Sequence, residues 1–161
     1  MQPTFVEWPE KKIVGLGTKF ISVLSPDKNN ASKIPALWHE LVQRQGSIPN
    51  KTGSSFGLVE MVKGADKSHK DERFYIAGIQ VSDYAGAPAD MIQRTLPAGR
   101  YALFTHMGKL DKLEQTMRAI YLDWLPKSGE QLRDAPHLEV YDQRFAIGSD
   151  NSELDILLPV K

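Results

Sequence analysis

The feature that most constrains this chain is an order of elements that occurs twice. Lys12 to Leu24, KIVGLGTKFISVL, is rich in β-branched residues and reads as a strand bent at Gly15 and Gly17. After the turn-rich SPDKNNASK, Ile34 to Gln45 sets Ile34, Leu37, Trp38, Leu41 and Val42 at helical spacing. Ser32 is placed as its N-cap, Pro35 in its first turn and Gly46 at its end. Ser55 to Lys63 and Arg73 to Val81 read as two strands joined by the charged loop GADKSHKDE. The order β-α-β-β then returns. A short extended piece, Met91 to Pro97, precedes a strand from Arg100 to His106. A helical stretch from Gly108 to Leu125 carries Leu110, Leu113, Met117, Ile120, Tyr121 and Trp124 on one face. His137 to Asp142 and Glu153 to Val160 complete the second set.

One β-α-β-β unit cannot cover both its sheet and its helix, so two units must pack together. The expected fold is α+β, with duplicated β-α-β-β units in pseudo-twofold symmetry, about eight antiparallel strands and two main helices. A single domain over residues 1–161 is expected, the first repeat spanning roughly 1–85 and the second roughly 90–161. At 161 residues such a domain buries about two-thirds of its unfolded surface and can form its own core. The crease between the halves is the natural place for a ligand groove.

Composition narrows the function. Lys+Arg and Asp+Glu are 20 each, a zero balance that argues against a dedicated nucleic-acid binder. No Cys is present, which removes disulfides, thiolate metal sites and cysteine nucleophiles. No apolar run approaches the ~20 residues that span a bilayer, and the N-terminus lacks a signal-peptide pattern, so a cytoplasmic protein away from membranes is expected. The four histidines show no HxxxH or HExxH spacing, and Gly15-x-Gly17 is too short for a dinucleotide fingerprint. Neither a metal nor a cofactor is expected.

Leu96 to Asp142 carries a more specific signal. Pro97-x-Gly99-x-Tyr101-Ala102, Gly108 before a helix, Trp124-Leu125-Pro126 at its end and Pro136-x-x-Glu139-x-Tyr141 resemble the GyrI-like small-molecule-binding domain, the effector-binding domain of AraC- and MerR-type activators. Ile34-Pro35-Ala36-Leu37-Trp38, Phe56-Gly57 and the ending Ile156 to Val160 are similar to its weaker motifs. The resemblance implies a groove that takes hydrophobic, often cationic, aromatic compounds, with Glu139 at the position of the family's central acidic residue. By alternation alone, Glu139 and Tyr141 share one strand face, and the common role of such a face is a solvated outer surface. The resemblance instead implies a pocket.

The expected ligand-binding set is Glu139, Tyr141, Tyr101, Phe104, Trp38, Phe56 and Tyr75. Trp38 and Trp124 lie on apolar helical faces where core packing is the usual role, and Trp8 reads as an edge-packing residue. Aligning the halves matches Phe56 with Leu138 and Gly57 with Glu139, so Glu60 matches Asp142 and no second carboxylate reaches the pocket. That weakens an alternative the resemblance also implies, hydrolysis of reactive cyclopropyl compounds by Glu139 with Tyr141 or Tyr75. A third implied role is inhibition of DNA gyrase by direct contact. Only Met1 to Lys11 precedes the first strand, too little for a helix-turn-helix module, so direct DNA binding is not expected.

Overall fold

Apolar side chains occupy both faces of most strands, so this sheet has no solvated side. The computed structural model describes residues 1–161. Its elements are β1 (Thr4–Trp8), β2 (Lys11–Ile21), α1 (Asn30–Arg44), β3 (Lys51–Met61), β4 (Glu72–Val81), β5 (Ile92–Leu96), β6 (Gly99–Met107), α2 (Leu113–Arg118), α3 (Leu125–Ser128), β7 (His137–Tyr141) and β8 (Glu153–Pro159). The eight strands form one sheet in the order β1-β6-β8-β7-β3-β4-β2-β5, and every pair is antiparallel. No helix is long and apolar enough to cross a membrane.

The two β-α-β-β units are related by a twofold running between β3 and β7. Its footprint is a row of residues across the sheet, Leu16-Ala77-Gly57-Glu139-Ile156-Phe104, with Gly57 opposite Glu139 at the centre. The register therefore matches Gly57 to Glu139, as the alignment of the halves expects. The leading strands depart from the sequence repeats. β1 precedes β2 in the chain but pairs with β6, and β5 precedes β6 but pairs with β2. The spatial halves thus exchange their first strands, and the boundaries at roughly 85 and 90 do not separate them.

The sheet curls into a half-barrel. Its inner face holds Ile13, Phe56, Leu58, Ile76, Tyr101, Leu138 and Leu157, and Trp8 on the edge strand β1 reaches the central Phe56 ring at 5.9 Å. Its outer face carries the helices. Leu37 and Leu41 of α1 pack on Val14, Leu16, Ala77 and Ile79, while the second helix covers Phe104, Ile156 and Leu158 with Ile120 and Trp124. Close strand approach at Gly15 leaves no room for a side chain: a Cβ there would stand 1.9 Å from the Ala77 carbonyl oxygen.

Several expectations need correction. β1 was not expected as a strand; prolines flank it and its partner lies far along the chain. Helix α1 begins at Asn30, so Ser32 lies inside it and is not its N-cap. The preceding Asn29 uses its Oδ1 to accept from the Ile21 N–H at 2.7 Å, tying the loop to β2 instead of capping the helix. Val42, placed on the apolar face, is 58% exposed. The second helix begins with a 3-10 turn at Leu110 and is wound as a π-helix from Ala119 to Trp124 between α2 and α3. Pro126 has no N–H to give to the carbonyl four residues back, so the α ladder cannot run through this stretch. Gly129 ends the helix in a left-handed conformation at φ 75°.

Candidate functional site

Alternation along β7 puts His137, Glu139 and Tyr141 on the outer face, beneath the helices, and Leu138 and Val140 in the half-barrel. Because helices cover that face, Glu139 is 6% exposed and not solvated. Two phenols hold its carboxylate. Tyr141 donates its hydroxyl to Oε2 at 3.1 Å, and the Tyr75 hydroxyl, which accepts from Trp38 Nε1 at 3.0 Å, lies over Gly57 beside Oε1. Burial raises the Glu139 pKa above the ordinary carboxylate value, and hydrogen bonds from Tyr75 and Tyr141 partly oppose that rise. Burial and the adjacent carboxylate also raise both tyrosine pKa values, so the phenols remain neutral donors.

Glu139 stands at the inner end of a cavity of about 400 Å³ between the two helices, of whose 18 lining residues 11 are hydrophobic. Phe20, Val59, Arg73 and His137 form the floor, Ile34 of α1 stands on one side, and Leu113, Met117 and Tyr121 of the second helix stand on the other. The volume lies in the ~300–1,000 Å³ range of small-molecule pockets. A larger groove of about 650 Å³ runs over Lys19, Glu60, Phe74 and Arg94, but only 4 of its 11 lining residues are hydrophobic, and Glu60 and Arg94 neutralise one another at 3.0 Å.

Of the seven residues expected to meet a ligand, four come together. Glu139, Tyr141, Tyr75 and Trp38 form one network, with the Trp38 and Tyr141 rings 4.9 Å apart. Only Glu139 lines the cavity itself; the other three support it from behind. Phe104 shares the outer face but is sealed beneath the second helix, 4.9 Å from Trp124. Phe56 and Tyr101 lie on the inner face of the half-barrel, packed against Trp8, and the sheet separates them from Glu139. Alternation is the reason: Phe56 precedes Gly57, so it must point away from the face Gly57 shares with Glu139.

The GyrI-like small molecule binding domain family matches residues 1–161. The chain belongs to this family. It is 28% identical to the transcriptional regulator BrlR of Pseudomonas aeruginosa over 99% of the chain and 56% of that protein. It is 38% identical to the probable transcriptional regulator YgiV of Escherichia coli K12 over 40% of the chain and 41% of that protein. The chain therefore spans about half the length of BrlR, and its match to YgiV is confined to about two-fifths of each chain. Among solved structures it resembles SAV2435 bound to tetraphenylphosphonium, with a TM-score of 0.75 and 18% identity over 100% of the chain and 94% of that one. The EcmrR C-terminal domain superposes with a TM-score of 0.70 at 20% identity, over 99% and 97% of the two chains. At these identities the likeness is one of fold.

In this GyrI-like domain the cavity also presents residues that were not singled out from the sequence. The hydroxyl of Tyr121, in the π-wound segment, is hydrogen-bonded to His137 Nδ1, and the two rings stack at 5.6 Å and 7°. Such single-turn π segments often sit at functional sites. Alternation makes His137 and Arg73 legible, since they lie two residues before Glu139 and Tyr75 and so share their face. Burial, with the Arg73 charge nearby, lowers the His137 pKa to about 4.

The sign of this shift makes a prediction. The native state keeps His137 neutral, whereas the unfolded chain takes up a proton below about pH 6.5. His137 therefore destabilises the fold progressively as pH falls from 6.5 towards 4, by about 3 kcal/mol at the lower end. Glu139, with its native pKa raised, acts in the opposite sense and lowers stability as pH rises above about 4.5. The His137 contribution is isolated by comparison with His137→Gln, which keeps an acceptor for Tyr121. Urea unfolding at stepped pH is expected to show the difference between parent and variant moving in the variant's favour from pH 6.5 to 4. A difference constant with pH contradicts it.

Proposed function

We propose that this chain binds a lipophilic aromatic cation between its two helices, with Glu139 as the counter-charge, and serves as a cytoplasmic sensing or sequestering module. One observation carries this reading: a buried carboxylate at the inner end of an apolar cavity, held by two neutral phenols and no basic side chain. A carboxylate removed from water without a cationic partner is poorly solvated, and a ligand cation that also fills the apolar space restores part of that loss. Tyr121 adds an aromatic wall, and a cation over such a ring gains roughly 0.5–2 kcal/mol. The fold neighbour solved with tetraphenylphosphonium supports the ligand class, and the named relatives support a regulatory setting.

Titration with tetraphenylphosphonium, followed by tryptophan emission, tests this reading. Trp38 is one hydrogen bond from Tyr75 and in ring contact with Tyr141, so occupancy beside Glu139 should change its emission. Saturable one-to-one binding in the micromolar range is expected. No binding of this or other aromatic monocations overturns the proposal. The same carboxylate and phenols are what a hydrolytic role would need, and steady turnover of a cyclopropane substrate that is lost in Glu139→Gln would replace binding with catalysis.

A further inference from the structure

We infer that the Arg73 and His137 side of the cavity is an acceptor subsite, and that the natural ligand is therefore amphoteric: an aromatic cation bearing a carboxylate or comparably strong oxygen acceptor on the side facing away from Glu139. The inference rests on the proposal that the cavity binds a cation at Glu139.

Arg73 differs from the other arginines of the chain. Arg44, Arg94, Arg100, Arg118 and Arg144 each pair with a carboxylate. Arg133 also lines the cavity and forms no ion pair, but its guanidinium lies over the Tyr101 ring at 4.9 Å, gives one long bond to the Arg100 carbonyl at 3.5 Å and has its Nε buried away from the open space. Arg73 is half-buried on the cavity floor, forms no ion pair, and gives a single bond, from Nη1 to the neighbouring Glu72 carbonyl at 2.9 Å. A guanidinium has five N–H donors in a fixed fork, so most of its donors remain for a ligand. Glu139 does not neutralise it, because the carboxylate is held by the phenols. Asp134, also on the lining, is on the rim, where its side chain is 94% exposed and pairs with Lys63 at 3.8 Å.

His137 adds a second donor. In the tautomer whose Nδ1 accepts from the Tyr121 hydroxyl, the neutral ring carries its proton on Nε2. No protein group engages Nε2, and His137 lines the same cavity as Arg73. A guanidinium fork and an imidazole N–H on one wall form a receptor for an anionic oxygen. The opposite charge, Glu139, stands on that strand two residues away. The two ends of the cavity thus favour opposite charges, and a simple monocation satisfies only one of them.

The test compares N-methylquinolinium with N-(carboxymethyl)quinolinium, which share ring and positive charge and differ by one carboxylate. Calorimetric titration of the full chain is expected to show the carboxymethyl compound binding about tenfold tighter, the scale of one charge-assisted hydrogen bond in a partly solvated site. In Arg73→Gln the order should reverse. The carboxymethyl compound loses about tenfold, and the plain cation tightens severalfold because a like charge is gone. Arg73→Lys, which keeps the charge but not the fork, should fall between. An affinity ratio unchanged by Arg73→Gln, with N-methylquinolinium still bound and weakened by Glu139→Gln, overturns the subsite and leaves the cation site standing. If neither compound binds the parent, the cation site fails and the subsite falls with it.

Discussion

Replacing Glu139 by Gln is expected to weaken binding of a lipophilic cation about a hundredfold while leaving the fold at least as stable as the parent. The two halves of this expectation have one cause. Glu139 is buried, its pKa is raised by that burial, and no basic side chain compensates it. A buried, unpaired carboxylate costs the fold free energy, whereas Gln fills the same volume, and its carbonyl oxygen can accept from the tyrosines. The cation loses a counter-charge in a poorly solvated site, where removing one partner of a charge pair costs about 2–5 kcal/mol. A hundredfold corresponds to about 2.7 kcal/mol, near the lower end of that range. Methyltriphenylphosphonium and the neutral triphenylphosphine oxide separate charge from shape: the first should lose about a hundredfold and the second less than threefold. Equal losses for the two would mean that Glu139 acts through shape alone.

The second large effect is expected at Gly57. A Cβ on this residue would stand 2.1 Å from the Tyr75 hydroxyl oxygen, 2.7 Å from the ring carbon that bears it and 2.9 Å from Glu139 Oε1. Gly57 faces Glu139 across the β3–β7 pair at the twofold. Its missing side chain is the space in which the Tyr75 phenol reaches the carboxylate. Tyr75 is 0% exposed and does not line the cavity, so its phenol cannot swing aside into open space. Gly57→Ala is expected to destabilise the domain by about 3 kcal/mol, at the upper end of ordinary overpacking, and to abolish saturable binding of tetraphenylphosphonium. Adding Tyr75→Phe should recover part of the stability by removing the closest atom, though the ring carbon at 2.7 Å remains in the way. The double-mutant cycle measures this coupling. Purely additive losses would show that Gly57 is needed for strand packing and not for the reach of Tyr75.

Much of this was legible in the chain because local rules produce it. Period-two alternation separated Leu138 and Val140 from Glu139 and Tyr141, and the register of β3 on β7 agrees with the alignment that set Gly57 against Glu139. The same alternation could have excluded Phe56, whose side chain must point opposite to Gly57, and Tyr101 against Phe104. Aromatic type favours both as ligand contacts, but their strand positions set them on the inner face. β1 was hidden for a different reason. Five residues with Glu7 among them carry little signal, and the strand exists because β6, far along the chain, offers an unpaired edge. The cavity-lining role of Arg73, Phe20 and Tyr121 depends on three elements meeting, which no spacing rule within one element contains.

The sequence alone determined that two β-α-β-β units exist and that they must share one core, while the central place of Glu139 was implied only by the resemblance to the GyrI-like family. The two units and their shared core follow from periodicity and local propensity, which act over a few residues at a time. Tertiary structure decided what surrounds that carboxylate. Curling of the sheet put Phe56 and Tyr101 inside the half-barrel, and exchange of the leading strands extended it by one strand at each edge. Packing of both helices on the outer face turned an alternating strand residue into a buried charge. Whether a carboxylate on a strand is wet or dry depends on what covers its face, and that cover comes from helices distant in the chain.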